Sequence, residues 1–145
     1  MQRNKRIKLY GAIVLIIIAA ITITIVSCKI TGTSSKKVAD LEYTVVEDQD
    51  IPTELMKINY EKKQNSLRLT YTTKDYIYIV AGYGTQPTSG YSIRLNEIYL
   101  GQNAIYIDTN LIGPSKGEEV NEKETYPYIV IMIEKRDDPV VFNIS

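Results

Sequence analysis

The feature that most constrains the fold is a two-residue alternation of apolar side chains through most of the second half of the chain. "SLRLTY" places Leu67, Leu69 and Tyr71 on one face of an extended segment, and "YIYIVA" and "AIYIDTNLI" repeat the pattern. "YSIRLNEIYL" also alternates but changes phase at Asn96–Glu97, which predicts a β-bulge. "YIVIMIE" is apolar at nearly every position and therefore predicts a central strand with both faces covered.

One segment is helical in character instead. "PTELMKINYEKKQ" starts at Pro52, has Glu54 in its first turn and carries lysines in its last turn, an order that suits the helix dipole. Leu55, Met56 and Ile58 would form its inner face. Counting "LEYTVV" and a final edge strand "VVF", the chain has six or seven short strands. We predict a mainly β protein, a single β-sandwich-like domain with one helix, preceded by an N-terminal membrane-targeting helix.

Residues 1–28 predict targeting to a membrane. A basic leader, "MQRNKRIK", precedes "LYGAIVLIIIAAITITIV", 18 residues without a charge. A helix of this length would span roughly 27 Å at about 1.5 Å per residue, close to the thickness of a bilayer core. The cations of the leader are expected to stay in the cytoplasm, so the rest of the chain should lie on the extracytoplasmic face of the cell membrane.

Two forms of membrane attachment are open. "IVSC" places the small Ser27 before Cys28 and resembles the lipobox of bacterial lipoproteins, in which the leader is removed and the cysteine thiol receives a lipid. Ile25 stands where leucine is usual and the apolar run is long, which favours the alternative of an uncleaved single-pass anchor. Either form tethers the remaining chain to the membrane.

Behind this leader the composition predicts a linker and one domain. Residues 29–39, "KITGTSSKKVA", are small, polar and cationic, as in a flexible linker, and residues 40–145 form the predicted β-rich domain. The first 27 residues hold four cations and no anion, which leaves 13 cations against 17 anions from Cys28 onward. A mildly acidic domain is not expected to bind nucleic acid. Nothing in the sequence specifies an oligomeric state.

The inventory of reactive side chains argues against an enzyme. The chain has no histidine and one cysteine, which excludes a Ser-His-Asp triad, a histidine zinc site and an internal disulfide. Glu47, Asp48 and Asp50 are not followed by the spacing of an EF-hand. "GYSIR" lacks the second glycine of a nucleophile elbow, and "GYGTQPTSG" lacks the lysine of a phosphate loop. We expect no catalytic residue, no cofactor and no metal.

Two loops carry the most distinctive residues. "GYGTQPTSGYS", residues 82–92, separates two predicted strands and is much longer than the two residues that a tight hairpin needs. "GPSKGEEVNEKET" occupies residues 113–125 and leads into "TYPYIVIMIEK". In this order the segments resemble the C-terminal domain of PrcB-type protease complex subunits, over about residues 76–135. The residues that correspond to the family's motifs are Gly84, Thr85, Gln86, Pro87, Thr88, Ser89, Gly90, Tyr91 and Ser92, then Gly113, Pro114 and Gly117, then Tyr126, Pro127 and Tyr128, with Ser89 as the one departure.

The resemblance implies a non-catalytic, membrane-anchored partner that binds or stabilises a secreted or surface protease. Pro87 fixes one backbone angle, while Gly84 and Gly90 can adopt angles that other residues avoid, so the loop suits a rigid protein-binding surface. The family usually has glycine where this chain has Ser89, which predicts that this position needs no positive φ. "QPTSGY" is also similar to a loop of chagasin-type inhibitors of papain-like proteases. This similarity gives a protease inhibitor as one alternative. A structural envelope protein without a specific ligand is the other.

Overall fold

The alternating segments form two four-stranded sheets. The computed structural model describes residues 36–144, and the predicted membrane-targeting helix and Cys28 lie outside this range. Sheet A has the strand order β1-β5-β6-β8 and sheet B the order β2-β7-β4-β3. Neighbouring strands are antiparallel except β6 and β8, which are parallel. The strands are β1 (Lys37–Asp40), β2 (Thr44–Val45), β3 (Ser66–Thr72), β4 (Tyr76–Tyr83), β5 (Ser92–Gly101), β6 (Ile105–Ile112), β7 (Tyr128–Glu134) and β8 (Val140–Ile144).

The helix is α1 (Thr53–Lys62), and a short 3-10 turn (Asp48–Asp50) precedes it. Pro52 is the residue just before the first helical turn, where its missing N–H costs nothing. Within residues 36–144, no helix is both long enough and apolar enough to cross a bilayer. The prediction of a mainly β domain with one helix is confirmed for the residues that the structure describes.

The core between the two sheets consists of isoleucines. Every buried side chain in this cluster is an isoleucine, contributed by β4 and β7 from sheet B and by β5 and β6 from sheet A. Burial of one such side chain stabilises a fold by about 1.5–3 kcal/mol. Isoleucine suits this position because its branched Cβ packs well on a pleated surface. The members are Ile77, Ile79, Ile98, Ile105, Ile107, Ile131 and Ile133.

A second core lies between sheet B and α1. It contains Leu55 from the helix, Leu67 from β3, Val80 from β4 and Val130 from β7, with Ile51 ahead of the helix. β4 and β7 are therefore covered on both faces, by sheet A on one side and by α1 on the other. This explains the nearly continuous apolar character of "YIVIMIE" and confirms that this segment is a central strand, since β7 lies between β2 and β4.

The predicted bulge in β5 is confirmed. Leu95 pairs with Thr109 of β6 and Glu97 pairs with Asp108, so that Asn96 has no opposite residue. One extra residue in a strand reverses the side-chain alternation beyond it. This bulge therefore explains the phase change at Asn96–Glu97 in the sequence.

The structure differs from the sequence interpretation at both short N-terminal strands. β1 begins at Lys37, inside the segment 29–39 that composition assigned to a linker, and pairs with β5. "LEYTVV" is not one strand, because residues 41–43 connect β1 in sheet A to β2 in sheet B. Both strands are exposed edge strands held by backbone pairing. A pattern of apolar side chains cannot reveal pairing of that kind.

The inner face of α1 also differs in part from the prediction. Leu55 is fully buried as expected, but the next inward position is Asn59, which is only 4 % exposed. Ile58 and Met56 are half-buried. Asn59 lies one turn beyond Leu55, so the helix phase brings it inward despite its polarity. Its Oδ1 is buried and has no hydrogen-bond partner.

Candidate functional site: the double-loop surface

Both distinctive loops cross from one sheet to the other at the same end of the sandwich. The first loop (Gly84–Tyr91) leaves β4 of sheet B and enters β5 of sheet A. The second loop (Gly113–Pro127) leaves β6 of sheet A and enters β7 of sheet B. Packed sheets lie about 10 Å apart. A two-residue hairpin cannot bridge that gap, which explains why the first loop is long.

The two loops are joined by hydrogen bonds and form one unit, here called the double-loop surface (residues 84–91 and 113–127). The N–H of Gln86 donates to the carbonyl of Thr125 at 2.8 Å, and the N–H of Thr125 donates to the carbonyl of Gln86 at 3.0 Å. The Thr125 hydroxyl donates to the carbonyl of Thr88 at 2.7 Å. Backbone and side chain therefore both restrain the first loop.

A further pair of hydrogen bonds lies nearer the tip of the loops. The N–H of Ser89 donates to the carbonyl of Asn121 at 3.0 Å. The N–H of Asn121 in turn donates to the Ser89 hydroxyl oxygen at 2.9 Å. Ser89 has a negative φ, since no non-glycine residue of the described range has a positive one. The prediction for Ser89 is confirmed, and its hydroxyl serves as a link that glycine could not provide.

Two glycines are required by the backbone of the first loop. Gly84 has φ +72° and Gly90 has φ +87°. A Cβ on Gly84 would lie 3.0 Å from the carbonyl oxygen of Gln64. A Cβ on Gly90 would lie 2.9 Å from Cβ of Pro114 in the second loop, closer than such atoms approach. The backbone of the first loop at Gly90 therefore packs directly against the Pro114 ring of the second loop.

The base of the first loop is attached to the sandwich on two sides. The N–H and hydroxyl of Thr85 both donate to the carbonyl of Gln64, which follows α1, at 3.2 Å each. The side-chain amide of Gln86 donates through Nε2 to the carbonyl of Tyr83 at 3.1 Å. The Tyr83 hydroxyl donates to Thr109 Oγ1 in sheet A at 3.0 Å, and burial raises the pKa of this phenol. The loop is therefore bonded to the end of β4 and to the segment behind the helix, and Tyr83 links this end of β4 to sheet A.

The site residues named from the sequence divide into an exposed group and a supporting group. Pro87 and Gly90 are exposed, as are Gly113 and Gly117 of the second loop. The supporting group consists of Gly84, which is buried, and of Gln86, Thr88, Ser89, Tyr91 and Pro114, which are half-buried. The first group lies at the surface of the protein. The second group determines the shape that the first presents.

Sequence reasoning missed an aromatic cluster beside the loops. Tyr60, at the end of α1, is 71 % exposed, the highest value among the exposed large hydrophobic residues of the described range. The ammonium group of Lys63 lies 4.0 Å from the centre of the Tyr60 ring and 4.7 Å from that of Tyr126 in the second loop. Cation–π contacts of this kind are worth about 0.5–1 kcal/mol at exposed sites. Tyrosine is common in binding hot spots, but residues 60 and 126 are too far apart in sequence for any local pattern to link them.

The third motif, Tyr126-Pro127-Tyr128, is half-buried and joins the end of the second loop to β7. The Tyr128 hydroxyl donates to Asp48 Oδ1 at 2.6 Å and lies 4.0 Å from Met56 Sδ of α1. Burial and this bond raise the pKa of the Tyr128 phenol well above its usual value, while a hydrogen bond with Asn59 acts in the opposite direction. Tyr128 therefore connects sheet B to α1 and to the turn before it.

The groups that the first loop brings to the double-loop surface are uncharged. They are threonine and serine hydroxyls, backbone amides and a proline ring, with exposed glutamates and lysines farther along the second loop. Within residues 36–144, no group of three or more cysteine or acidic side chains could hold a metal ion.

Comparison with known families identifies the segment that contains this surface. Residues 77–134 match the family model described as PrcB C-terminal. The match confirms the resemblance predicted for residues 76–135, and it spans β4 to β7 with both loops. It covers less than half of the chain. No curated protein and no solved structure has a significant match to the chain. The similarity of "QPTSGY" to chagasin-type inhibitors stays a hypothesis.

Proposed function

We propose, from the PrcB-type C-terminal domain in residues 77–134, that this protein is a non-catalytic subunit of a protease complex and binds its partner protein through the double-loop surface. The partner would be a secreted or surface protease, or another protein of its assembly. Pro87 and Gly90 would make direct contact, with Tyr60 and Lys63 at the side. The domain would act outside the cytoplasm, attached to the membrane either through a lipid on Cys28 or through the uncleaved N-terminal segment.

The observation that carries this proposal is the hydrogen bonding between the two loops. Two backbone bonds between Gln86 and Thr125 and the bond from the Thr125 hydroxyl to Thr88 hold the first loop in one shape. A loop that is ordered before binding loses little conformational entropy when a partner docks. The family match includes both loops, so the feature lies in the segment that resembles a known protease-complex family.

Recovery of a protease with the tagged full-length protein tests the proposal. The protein is expressed in its native cells, crosslinked, purified under denaturing washes and analysed for bound proteins, with protease activity followed in a parallel mild purification. In the test variant, Gly-Ser repeats replace residues 86–89. We expect this variant to lose most of the bound protease.

A matched control uses the opposite end of the sandwich. Lys74 lies in the exposed turn between β3 and β4, at the end away from the double-loop surface. Lys74→Ala should retain the wild-type amount of protease. Equal recovery with the loop variant and the wild type would refute the role of the loops. If the bound protease is active, the inhibitor alternative also fails for this partner.

The membrane attachment is tested separately. Cys28→Ala and Cys28→Ser are expressed with the wild type in cells supplied with a labelled fatty acid. Loss of label in both variants is expected for a lipoprotein. Persistent label would exclude Cys28 as the site of lipid attachment, and an unlabelled wild-type protein that stays in the membrane fraction would favour the uncleaved anchor.

A further inference from the structure

The outer edge of β3 has no neighbour among residues 36–144. β3 is the last strand of sheet B and pairs on one side only, with β4. It has seven residues, whereas β2 at the other edge of the same sheet has two. A strand of this length with one unpaired side presents a row of backbone donors and acceptors that can pair with another extended chain.

The register shows which backbone groups face outward. The N–H of Thr73 donates to the carbonyl of Tyr76 at 2.8 Å. Given the register of β3 and β4, the odd-numbered residues of β3 are therefore those whose backbone N–H and carbonyl groups form hydrogen bonds with β4. Backbone groups alternate between the two sides of a strand. The N–H and carbonyl groups of Arg68, Thr70 and Thr72 therefore point away from the sheet, and all three residues are exposed.

Arg68 gives this edge a charge preference. Its side chain is exposed and takes part in none of the salt bridges of the described residues. It lies on the strand face that also carries Ala81 and Tyr83 of β4, and its charge lowers the pKa of the Tyr83 phenol slightly against the larger effect of burial. β3, with the sequence SLRLTYT, contains no acidic residue to neutralise this cation. A carboxylate on an added strand would do so.

A second copy of the chain fits this edge less well. Two β3 strands paired antiparallel through their outer edges would place each arginine opposite a serine, a threonine or the other arginine, because the strand has no acid. Like charges opposite one another destabilise a strand pair. The charge of the edge thus favours an acidic segment from a different protein.

We propose that the outer edge of β3 binds an extended acidic segment of a partner protein by strand addition. Main-chain hydrogen bonds to residues 68–72 would supply the affinity, and a glutamate or aspartate opposite Arg68 would select the sequence. The site is distinct from the double-loop surface, since β3 starts opposite Tyr83 and runs away from the loops to Thr72. It does not depend on the function proposed for the loops.

Binding of three labelled peptides to the full-length protein in detergent micelles tests this inference. The peptides share the seven-residue sequence Ser-Val-Thr-X-Thr-Val-Ser with blocked ends, where X is glutamate, glutamine or lysine, and binding is measured by fluorescence anisotropy against empty micelles. We expect the glutamate peptide to bind about fivefold more tightly than the glutamine peptide, because a difference of about this size corresponds to the contribution of one exposed ion pair. The lysine peptide should bind most weakly.

Two variants identify the edge as the binding site. Thr70→Pro removes an outward N–H but no hydrogen bond to β4. It should lower the affinity for the glutamate peptide about tenfold, whereas Thr70→Val should leave that affinity unchanged. Arg68→Glu should reverse the preference, so that the lysine peptide binds most tightly. Circular dichroism checks that Thr70→Pro is folded; if it is not, the reversal in Arg68→Glu decides the question alone.

Several results would overturn the inference. One is equal affinity for the three peptides, and another is no binding of the glutamate peptide at its highest soluble concentration. A third is unchanged binding to folded Thr70→Pro, or no reversal in Arg68→Glu. A dimer seen by analytical ultracentrifugation that Thr70→Pro abolishes would mean that a second copy occupies the edge, which also contradicts an acidic partner.

Discussion

Substitution of alanine for Gly90 tests whether the two loops are packed as rigidly as the structure indicates. Gly90 has φ +87°, and a Cβ at this position would lie 2.9 Å from Cβ of Pro114, 3.2 Å from Cγ1 of Val120 and 3.3 Å from Oε1 of Glu118. The glutamate can rotate away, but the proline ring is fixed to its own backbone. The new methyl group can therefore be accommodated only if one loop moves.

Two costs contribute to the expected effect. A positive φ costs a non-glycine residue about 1–2 kcal/mol. A methyl group forced into a filled space costs about another 1–3 kcal/mol. Gly90→Ala should thus lower the free energy of unfolding by about 2–5 kcal/mol, a large part of the stability of a domain of this size.

Gly117 offers a matched control in the second loop. Its φ is +86°, almost the same as that of Gly90, but a Cβ there would meet no atom within 4 Å. Gly117→Ala should therefore show the backbone cost alone, about 1–2 kcal/mol. The difference between the two variants isolates the contact between the loops.

The assay is urea unfolding of the full-length protein in micelles, followed by far-ultraviolet circular dichroism and by tyrosine fluorescence, which is usable because the chain has no tryptophan. Equal destabilisation by Gly90→Ala and Gly117→Ala would refute the reasoning. It would mean that the loops separate at no cost and that the double-loop surface is not preorganised.

Three further outcomes are expected. Tyr128→Phe removes the 2.6 Å bond to Asp48 and should destabilise the fold by about 0.5–1.5 kcal/mol in urea, whereas Asp48→Asn in the Tyr128→Phe background should add little; full additivity would contradict a direct bond. The pKa of Tyr128 is higher in the folded than in the unfolded protein, so this residue contributes stability that is fully present below about pH 10 and is lost as the pH rises toward the folded value. Unfolding measured from pH 8 to 11 should therefore show a loss of stability that is smaller in Tyr128→Phe, and identical curves would disprove it. Thr125→Val deletes the hydroxyl bond to the carbonyl of Thr88 and should cost about 1 kcal/mol and speed hydrogen exchange of the amides of residues 86–90, with unchanged exchange counting against the link.

Much of the fold could be predicted from the sequence because side-chain alternation is a local property of a strand. The alternation revealed β3 to β7, the phase change revealed the bulge at Asn96, and the apolar run of residues 128–134 revealed a central strand. A local signal was also sufficient for the glycines of the first loop, since a Gly-Thr-Gln-Pro-Thr-Ser-Gly segment (residues 84–90) between strands predicts a turn with positive φ at its glycines.

Other features depend on which strand pairs with which, and no local pattern contains that information. The parallel pairing of β6 with β8, the edge strands β1 and β2 and the inward position of Asn59 all follow from tertiary packing. The same holds for the cation–π contacts of Lys63 with Tyr60 and Tyr126.

The candidate site shows this division most clearly. The sequence by itself determined the two loops, their rigid residues and the family they resemble. Only the tertiary structure decided that the loops form one surface, because the bonds between Gln86 and Thr125 join residues that are adjacent only after β4 and β7 have paired in sheet B. Residue types determine local backbone preferences, whereas contacts between distant segments require the chain entropy of the whole sandwich to be overcome first.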